Sequence, residues 1–264
     1  MPEDHTNFVF NCFQSFLLGI IQGVTEFFPI SSTAHLKVVP YLFGWSDPGV
    51  SISASLQLGS AIAIIFYFRE EINRIIMSFL SFIRYRKLFN VDNNKLLIYV
   101  FIANIPILIL GLFIKLYWSD FSNSYFRSLF SISIVSIIMS LLLALSEVHG
   151  KKQKLLKDIK IADIILLGFS QSLAILPGVS RAGITLTSAL FSGIERQTAA
   201  RLSFLIGIPA ISISGIVEFF TLCRSTSTFD IIPTLIGILA SFFSSIIAIK
   251  LSNLLCEANI AASQ

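Results

Sequence analysis

Seven stretches of mainly apolar residues run along the chain, at Phe8–Ile21, Ile52–Phe68, Leu96–Ile114, Leu129–Leu145, Ile161–Leu176, Leu202–Leu222 and Ile231–Leu255. A helix that crosses a bilayer needs roughly 17–25 such residues, and five of the seven reach that length. Phe8–Ile21 falls short and leads into Gln22, Glu26, Pro29, Ser31, Ser32 and His35. Ile161–Leu176 is marginal and leads into Pro177, Gly178, Ser180 and Arg181. An apolar run broken by proline and polar residues is the pattern of a re-entrant hairpin, a half-helix in, a broken tip and a second half-helix out. The expected fold is all-α: a polytopic integral membrane protein with two re-entrant helical hairpins and about five transmembrane helices.

The two hairpins echo one another. Gly19-Ile-Ile-Gln22 is matched by Gly168-Phe-Ser-Gln171, and each is followed by a proline (Pro29, Pro177) with a serine three positions on (Ser32, Ser180). Further along, Ser53-Ala-Ser-Leu-Gln-Leu-Gly59 is matched by Arg201-Leu-Ser-Phe-Leu-Ile-Gly207. The chain thus reads as a single membrane domain, 1–264, with one repeat over about 8–148 and a second over about 159–255. Three spans separate the hairpins, so the second starts from the opposite face and the repeats have inverted topology. Arg69, Arg74, Arg84, Arg86, Lys87 and Lys95 then share a side with Lys151, Lys152, Lys154, Lys157 and Lys160. The positive-inside rule makes that side cytoplasmic. The opposite connection, Lys115–Arg127, carries Tyr117, Trp118, Phe121 and Tyr125, an interfacial aromatic set.

Composition narrows the choice further. The 264 residues are 55% hydrophobic and 13% charged, with mean hydropathy +0.82, whereas a soluble domain carries about 25% charged residues. Soluble α/β and all-β folds are excluded, and the net charge of +4 matters mainly through where the basic residues fall. Cys12, Cys223 and Cys256 have neither metal spacing nor a paired framework.

Ionisable residues at membrane depth are costly and mark function. Gln22 and Glu26 are four apart on one helix face. Ser31, Ser32 and Thr33 supply hydroxyls after Pro29, where Ser and Thr cap free N–H groups. His35 lies three after Ser32 and four after Ser31, so its ring is expected over one of those hydroxyls. A carboxylate, a hydroxyl and an imidazole together suit acid–base or nucleophilic chemistry, while plain N-capping with a buried His and Glu accounts for the same residues. In the second hairpin, Ser180 and Arg181 stand at a helix start, where free N–H groups and the dipole favour phosphate. Arg181 adds a fork for phosphate oxygens, or serves as a structural partner of Glu26. Gln57 is a further candidate for the cavity wall, Asn104 with Pro106 and Pro209 mark kinks, and Glu218 sits near a span end.

Two segments carry a family resemblance. Gln22-Gly-Val-Thr-Glu26-Phe-Phe-Pro-Ile-Ser-Ser-Thr-Ala-His35 and Pro177-Gly-Val-Ser-Arg-Ala-Gly-Ile-Thr185 resemble the two signature motifs of the undecaprenyl-diphosphate phosphatase family, the bacitracin-resistance proteins. The resemblance implies hydrolysis of undecaprenyl diphosphate to the monophosphate and phosphate, in the bacterial inner membrane, with the site open to the periplasmic side. This recycles the lipid carrier for cell-wall synthesis and confers bacitracin resistance. It implies Glu26, Ser32, His35 and Arg181 as catalytic residues, and Gln22, Ser31, Thr33, Gly178 and Ser180 as substrate-binding ones. It further implies a divalent cation, Mg2+ or Ca2+, with Glu26 as ligand. The partners implied are the lipid diphosphate and the membrane, not nucleic acid.

The sequence departs from the family at Ala34 and Ala182, where glycine and serine are usual. The resemblance also implies a last helix after Leu255, for which Cys256–Gln264 is too short. An apolar face on the second half is then expected to be uncovered, and a homodimer is one way to cover it. Three alternatives compete. A phosphatidic acid phosphatase of the type-2 superfamily needs a second histidine after its Ser-Arg, and none follows His149. A polyprenyl-phosphate transporter or flippase would use the same anion site without hydrolysis. The third is an inactive, truncated family member.

Overall fold

The structure, a computed structural model, describes residues 2–85, 91–118, 121, 124–225 and 228–261, and side chains over 8–81, 84, 95–118, 121, 124–224, 231–252 and 254. Arg86, Lys87 and the Cys256 side chain lie outside the described residues. The elements are α1 (Pro2–Phe27), α2 (Ser32–Leu42), α3 (Gly49–Tyr67), α4 (Arg69–Tyr85), α5 (Val91–Tyr117), α6 (Leu129–His149), α7 (Ile161–Ser172), α8 (Arg181–Phe191), α9 (Arg196–Ser225) and α10 (Thr228–Ala261). Among the described residues there is no strand beyond one isolated bridge between Lys154 and Ile194. Six stretches, in α1, α3, α5, α6, α9 and α10, are long and apolar enough to cross a bilayer. The protein is an all-α, multi-pass membrane protein.

Two differences from the sequence reading have physical causes. The first hairpin arm does not stop with the apolar run at Ile21: the helix continues to Phe27, so Phe8–Phe27 reaches spanning length. Gln22 and Glu26 extend it without exposing polar groups, because they bond each other. The basic connection expected after Phe68 folds as α4, whose apolar Ile72, Ile75, Ile76 and Phe79 recur at helical spacing between charges.

Polar contacts sort the helix ends into two groups. Arg201 meets Glu71 (2.6 Å), Arg196 meets Glu147 (3.4 Å) and Lys154 meets Asp163 (2.9 Å), so the α3–α4 junction, the end of α6 and the starts of α7 and α9 share one end. Lys37 meets Asp47 (3.6 Å), Gln14 Nε2 donates to Ser46 O (3.2 Å) and Ser51 Oγ donates to Glu218 Oε2 (3.0 Å) at the other. Both hairpins return to the end where they start. Trp45 beyond α2 packs on Phe10 and Phe13 of α1, and Gln153 N, before α7, donates to Gly193 O beyond α8 (2.9 Å). α2 and α8 have 11 residues each, about 16 Å at 1.5 Å per residue, against a hydrocarbon core of about 30 Å.

Small residues let α1 lie against α10. A Cβ at Gly19 would fall 2.1 Å from Gly237 O, and one at Gly23 would fall 2.0 Å from Ser244 Oγ and 2.4 Å from Ser241 O. This is the close-approach packing that membrane helices use in place of a hydrophobic driving force. Gly23→Val is expected to force the pair apart and cost about 1–3 kcal/mol, read as a lower melting temperature in detergent. On its outer side α10 exposes Leu235, Leu239, Phe243, Ile247 and Leu251, an uncovered apolar stripe at four-residue spacing.

Candidate active site

The two hairpin tips meet through side chains. Glu26, in the last turn of α1, receives three donors: Gln22 Nε2 at 2.7 Å and Ser32 Oγ at 3.2 Å on Oε2, and Arg181 Nη2 at 3.1 Å on Oε1. Arg181, the first residue of α8, also donates through Nη1 to Ser203 O of α9 (3.2 Å). Gln22, Glu26 and Arg181 are 0%, 7% and 9% exposed. A buried carboxylate and guanidinium are tolerable only as a pair with further hydrogen bonds, which this arrangement supplies. One donor remains over. Arg181 Nε is buried without a partner among the described residues, and an unmet buried donor costs about 1–3 kcal/mol.

The serines at the tips divide their tasks. Ser31 caps α2, its Oγ accepting from Ala34 N (3.3 Å), and Ser180 caps α8, its Oγ accepting from Gly183 N (3.1 Å). Both helix N-termini are thereby fixed at the tips. The Ser32 hydroxyl is left to bond Glu26. Gly178 makes the turn before α8 with φ +97°, a conformation that favours glycine, and its carbonyl accepts from Ser136 Oγ (3.2 Å).

His35 departs from the expected arrangement. Its Nδ1 lies 2.8 Å from Ser31 O, not over the hydroxyl of Ser31 or Ser32. The carbonyl four residues back is within reach of the ring at a helix start, while both hydroxyls are taken. A carbonyl can only accept, so the hydrogen of this contact sits on Nδ1.

Several residues of the site had no signal in the spacing. Thr185 Oγ1 meets Ser203 Oγ (2.6 Å) and donates to Arg181 O (2.8 Å), tying α8 to α9. Gly207 matters by lacking a side chain: a Cβ there would lie 1.2 Å from Arg181 Nη1. Ser203 and Gly207 fall in the repeated segment 201–207, the one feature that could have drawn notice to them.

A cavity of about 1,180 Å³ opens from this cluster, with Thr25, Glu26, Ser32, Thr33, Ser180 and Arg181 in its wall. Gln22, Ser31, Gly178 and His35 stand outside that wall. Gln57 lines it, as does Glu218, whose Oε2 accepts from Ser51 Oγ. Toward the far end Lys37, Asp47, Lys115 and Arg127 join the wall. Burial draws the Arg127 guanidinium below the ordinary arginine value, with Asp47 pulling it back.

The geometry defines a class: a multi-pass helical membrane protein whose two oppositely directed hairpins join a carboxylate, a hydroxyl and an arginine in the wall of one large cavity. Residues 15–258 match the family described as bacitracin resistance protein BacA, and the chain belongs to that family. Among its relatives, the undecaprenyl-diphosphatase of Prochlorococcus marinus strain NATL1A is 66% identical over 251 residues, 95% of this chain and 90% of that protein. The undecaprenyl-diphosphatase of Prochlorococcus marinus strain MIT 9515 is 48% identical over 88% of this chain and 85% of its own length. That of Synechococcus elongatus strain ATCC 33912 / PCC 7942 / FACHB-805 is 47% identical over 89% of this chain and 82% of its own.

Proposed function

We propose that this protein hydrolyses undecaprenyl diphosphate to undecaprenyl phosphate and inorganic phosphate, the reaction for which its relatives are named. Within the fold, the observation that carries this reading is that Arg181, Glu26 and Ser32 share one cavity wall and are joined by hydrogen bonds through the Glu26 carboxylate. The terminal phosphoryl group binds at the Arg181 fork and the N-termini of α2 and α8, which neutralise its charge. Ser32, or a water that Ser32 holds, attacks the phosphorus in line, and the bond to the bridging oxygen breaks with undecaprenyl phosphate as leaving group; where Ser32 itself attacks, water then breaks the new Oγ–P bond, releasing phosphate and restoring the hydroxyl. Glu26 stands in place to take the Ser32 proton, and a proton-relay part for His35 rests on the family motif alone, its ring lying on Ser31 O outside the cavity wall. Gln22 keeps the Glu26 carboxylate aimed at Ser32.

The divalent cation fits only as a companion of the substrate. No group of three His, Cys, Asp or Glu side chains able to hold a metal occurs among the described residues, and both Glu26 oxygens are engaged. Mg2+ or Ca2+ would reach the site on the diphosphate, with Glu26 as protein ligand, and would offset phosphate charge. In the second hairpin both arms, α7 with 12 residues and α8 with 11, are shorter than a crossing, which supports re-entry there; in the first only α2 is so short, and α1 has spanning length. The basic residues of α4 and 151–160 gather at the end opposite Lys37 and Asp47, which supports a cavity mouth on the periplasmic side of the inner membrane.

The test is phosphate release from C55 and C15 diphosphates by purified protein in detergent, with and without chelator. Release that falls with chelator and returns with Mg2+ or Ca2+ is the expected result. Absence of release from either lipid, with folded protein and added metal, overturns the reading. A transporter without turnover would release none.

A further inference from the structure

We infer that the prenyl tail of the substrate leaves the cavity sideways, through a slot between α5 and α9 whose floor is Gly111. The inference rests on the phosphatase reading for the identity of the lipid. It stands on how these two helices diverge. They run in the same direction and touch where Asn104 Nδ2 of α5 donates to Ile206 O of α9 (2.8 Å). Seven residues on, about two turns, α5 reaches Gly111, and among the described residues nothing lies within 4 Å of a Cβ built there. Pro106 and Pro209 stand just past the contact, and proline is where helices bend.

The slot is lined for a hydrocarbon. Leu108, Leu112 and Ile213 belong to the cavity wall and are also 37%, 60% and 43% exposed, so they form a rim between cavity and surroundings. They fall inside the spans Lys95–Tyr117 and Arg196–Arg224, which places the rim against lipid. The base of the slot adjoins the phosphate site, since Arg181 bonds Ser203 O and fits against Gly207 of the same helix α9. A lipid whose every buried CH2 is worth about 0.8 kcal/mol in the membrane does not withdraw its tail into water to be cleaved. A diphosphate held at Arg181 with its tail still in the bilayer needs such a lateral exit. On the other flank, α2 packs on α6 and Ser136 bonds Gly178 O, which closes that side.

Gly111→Ala, Gly111→Leu and Gly111→Trp fill the slot in steps. For C55 diphosphate, kcat/KM is expected to fall along the series, on the order of tenfold or more at Trp, mostly through KM. The loss for C15 diphosphate should be smaller, and melting temperature should hold. Ile137→Trp on exposed α6, outside the cavity wall, is the control that leaves both substrates unaffected. A Trp variant with unchanged C55 kinetics, or one that loses kcat equally for both lipids together with its melting temperature, overturns the slot. A benzophenone-bearing prenyl monophosphate supplies a readout that needs no turnover. Labelling of 107–115 or 211–218 supports the slot, and labelling confined to α2 and α6 overturns it. Wild-type protein that labels there but releases no phosphate would sink the phosphatase reading alone.

Discussion

Purified Arg181→Ala protein is expected to release phosphate at least a hundredfold more slowly than the wild type, the usual scale for removing an electrostatic donor to a developing charge. Among the described residues, the fork is the only guanidinium that joins the two hairpins, through Glu26, and it also donates to Ser203 O of α9. Its loss removes the phosphate contact and leaves Glu26 buried without a cation, a stability cost of about 3–5 kcal/mol. Activity and folding must therefore be separated. Arg181→Ala combined with Glu26→Gln relieves the orphaned charge, so its melting temperature should recover toward wild type while release stays at or below the Arg181→Ala rate. Arg181→Lys keeps the charge but has one nitrogen where Arg181 uses two and holds a third, Nε, in reserve. It should retain folding and lose activity all the same. Equal kcat/KM in Arg181→Lys and wild type would show that a point charge suffices and would remove the bidentate reading.

What the sequence made legible was the pair of tips. Glu26 and Arg181 stand out because a charge amid apolar residues has to be paired or functional, and the reading of Arg181 as a structural partner of Glu26 already brings the two tips together. The Glu26–Arg181 contact is therefore a finding that spacing could anticipate. The support for that contact was not legible. Ser203 acts through its backbone carbonyl and Gly207 through a missing side chain, and neither leaves a chemical mark in a sequence. The His35 ring differs from expectation for a related reason: residue spacing shows which hydroxyls are near, but not that a helix-start carbonyl competes for the same nitrogen. α4 was hidden because Glu70, Glu71 and Arg74 break the apolar run that would otherwise announce a helix. The length of α1 was hidden because Gln22 and Glu26 count as polar in a hydropathy profile even where they bond each other inside the protein.

Ser32→Ala is expected to reduce release by about a hundredfold or more, the scale of losing a positioned proton-transfer partner. The reason is specific to the tip. Ser31 and Ser180 spend their hydroxyls on capping, and Thr185 spends its own on Ser203 and Arg181. Ser32 alone among these has its hydroxyl on a carboxylate in the cavity wall. Glu26→Gln keeps the shape of that partner and removes its charge, so it should be comparably slow. Because Ser32 and Glu26 are held to act as one unit, the Ser32→Ala/Glu26→Gln double variant should be no slower than the worse single one. Independent roles would instead multiply the two losses. That outcome, measured as kcat on C15 diphosphate at saturating lipid and metal, would separate the hydroxyl from the carboxylate and return Ser32 to a part in binding.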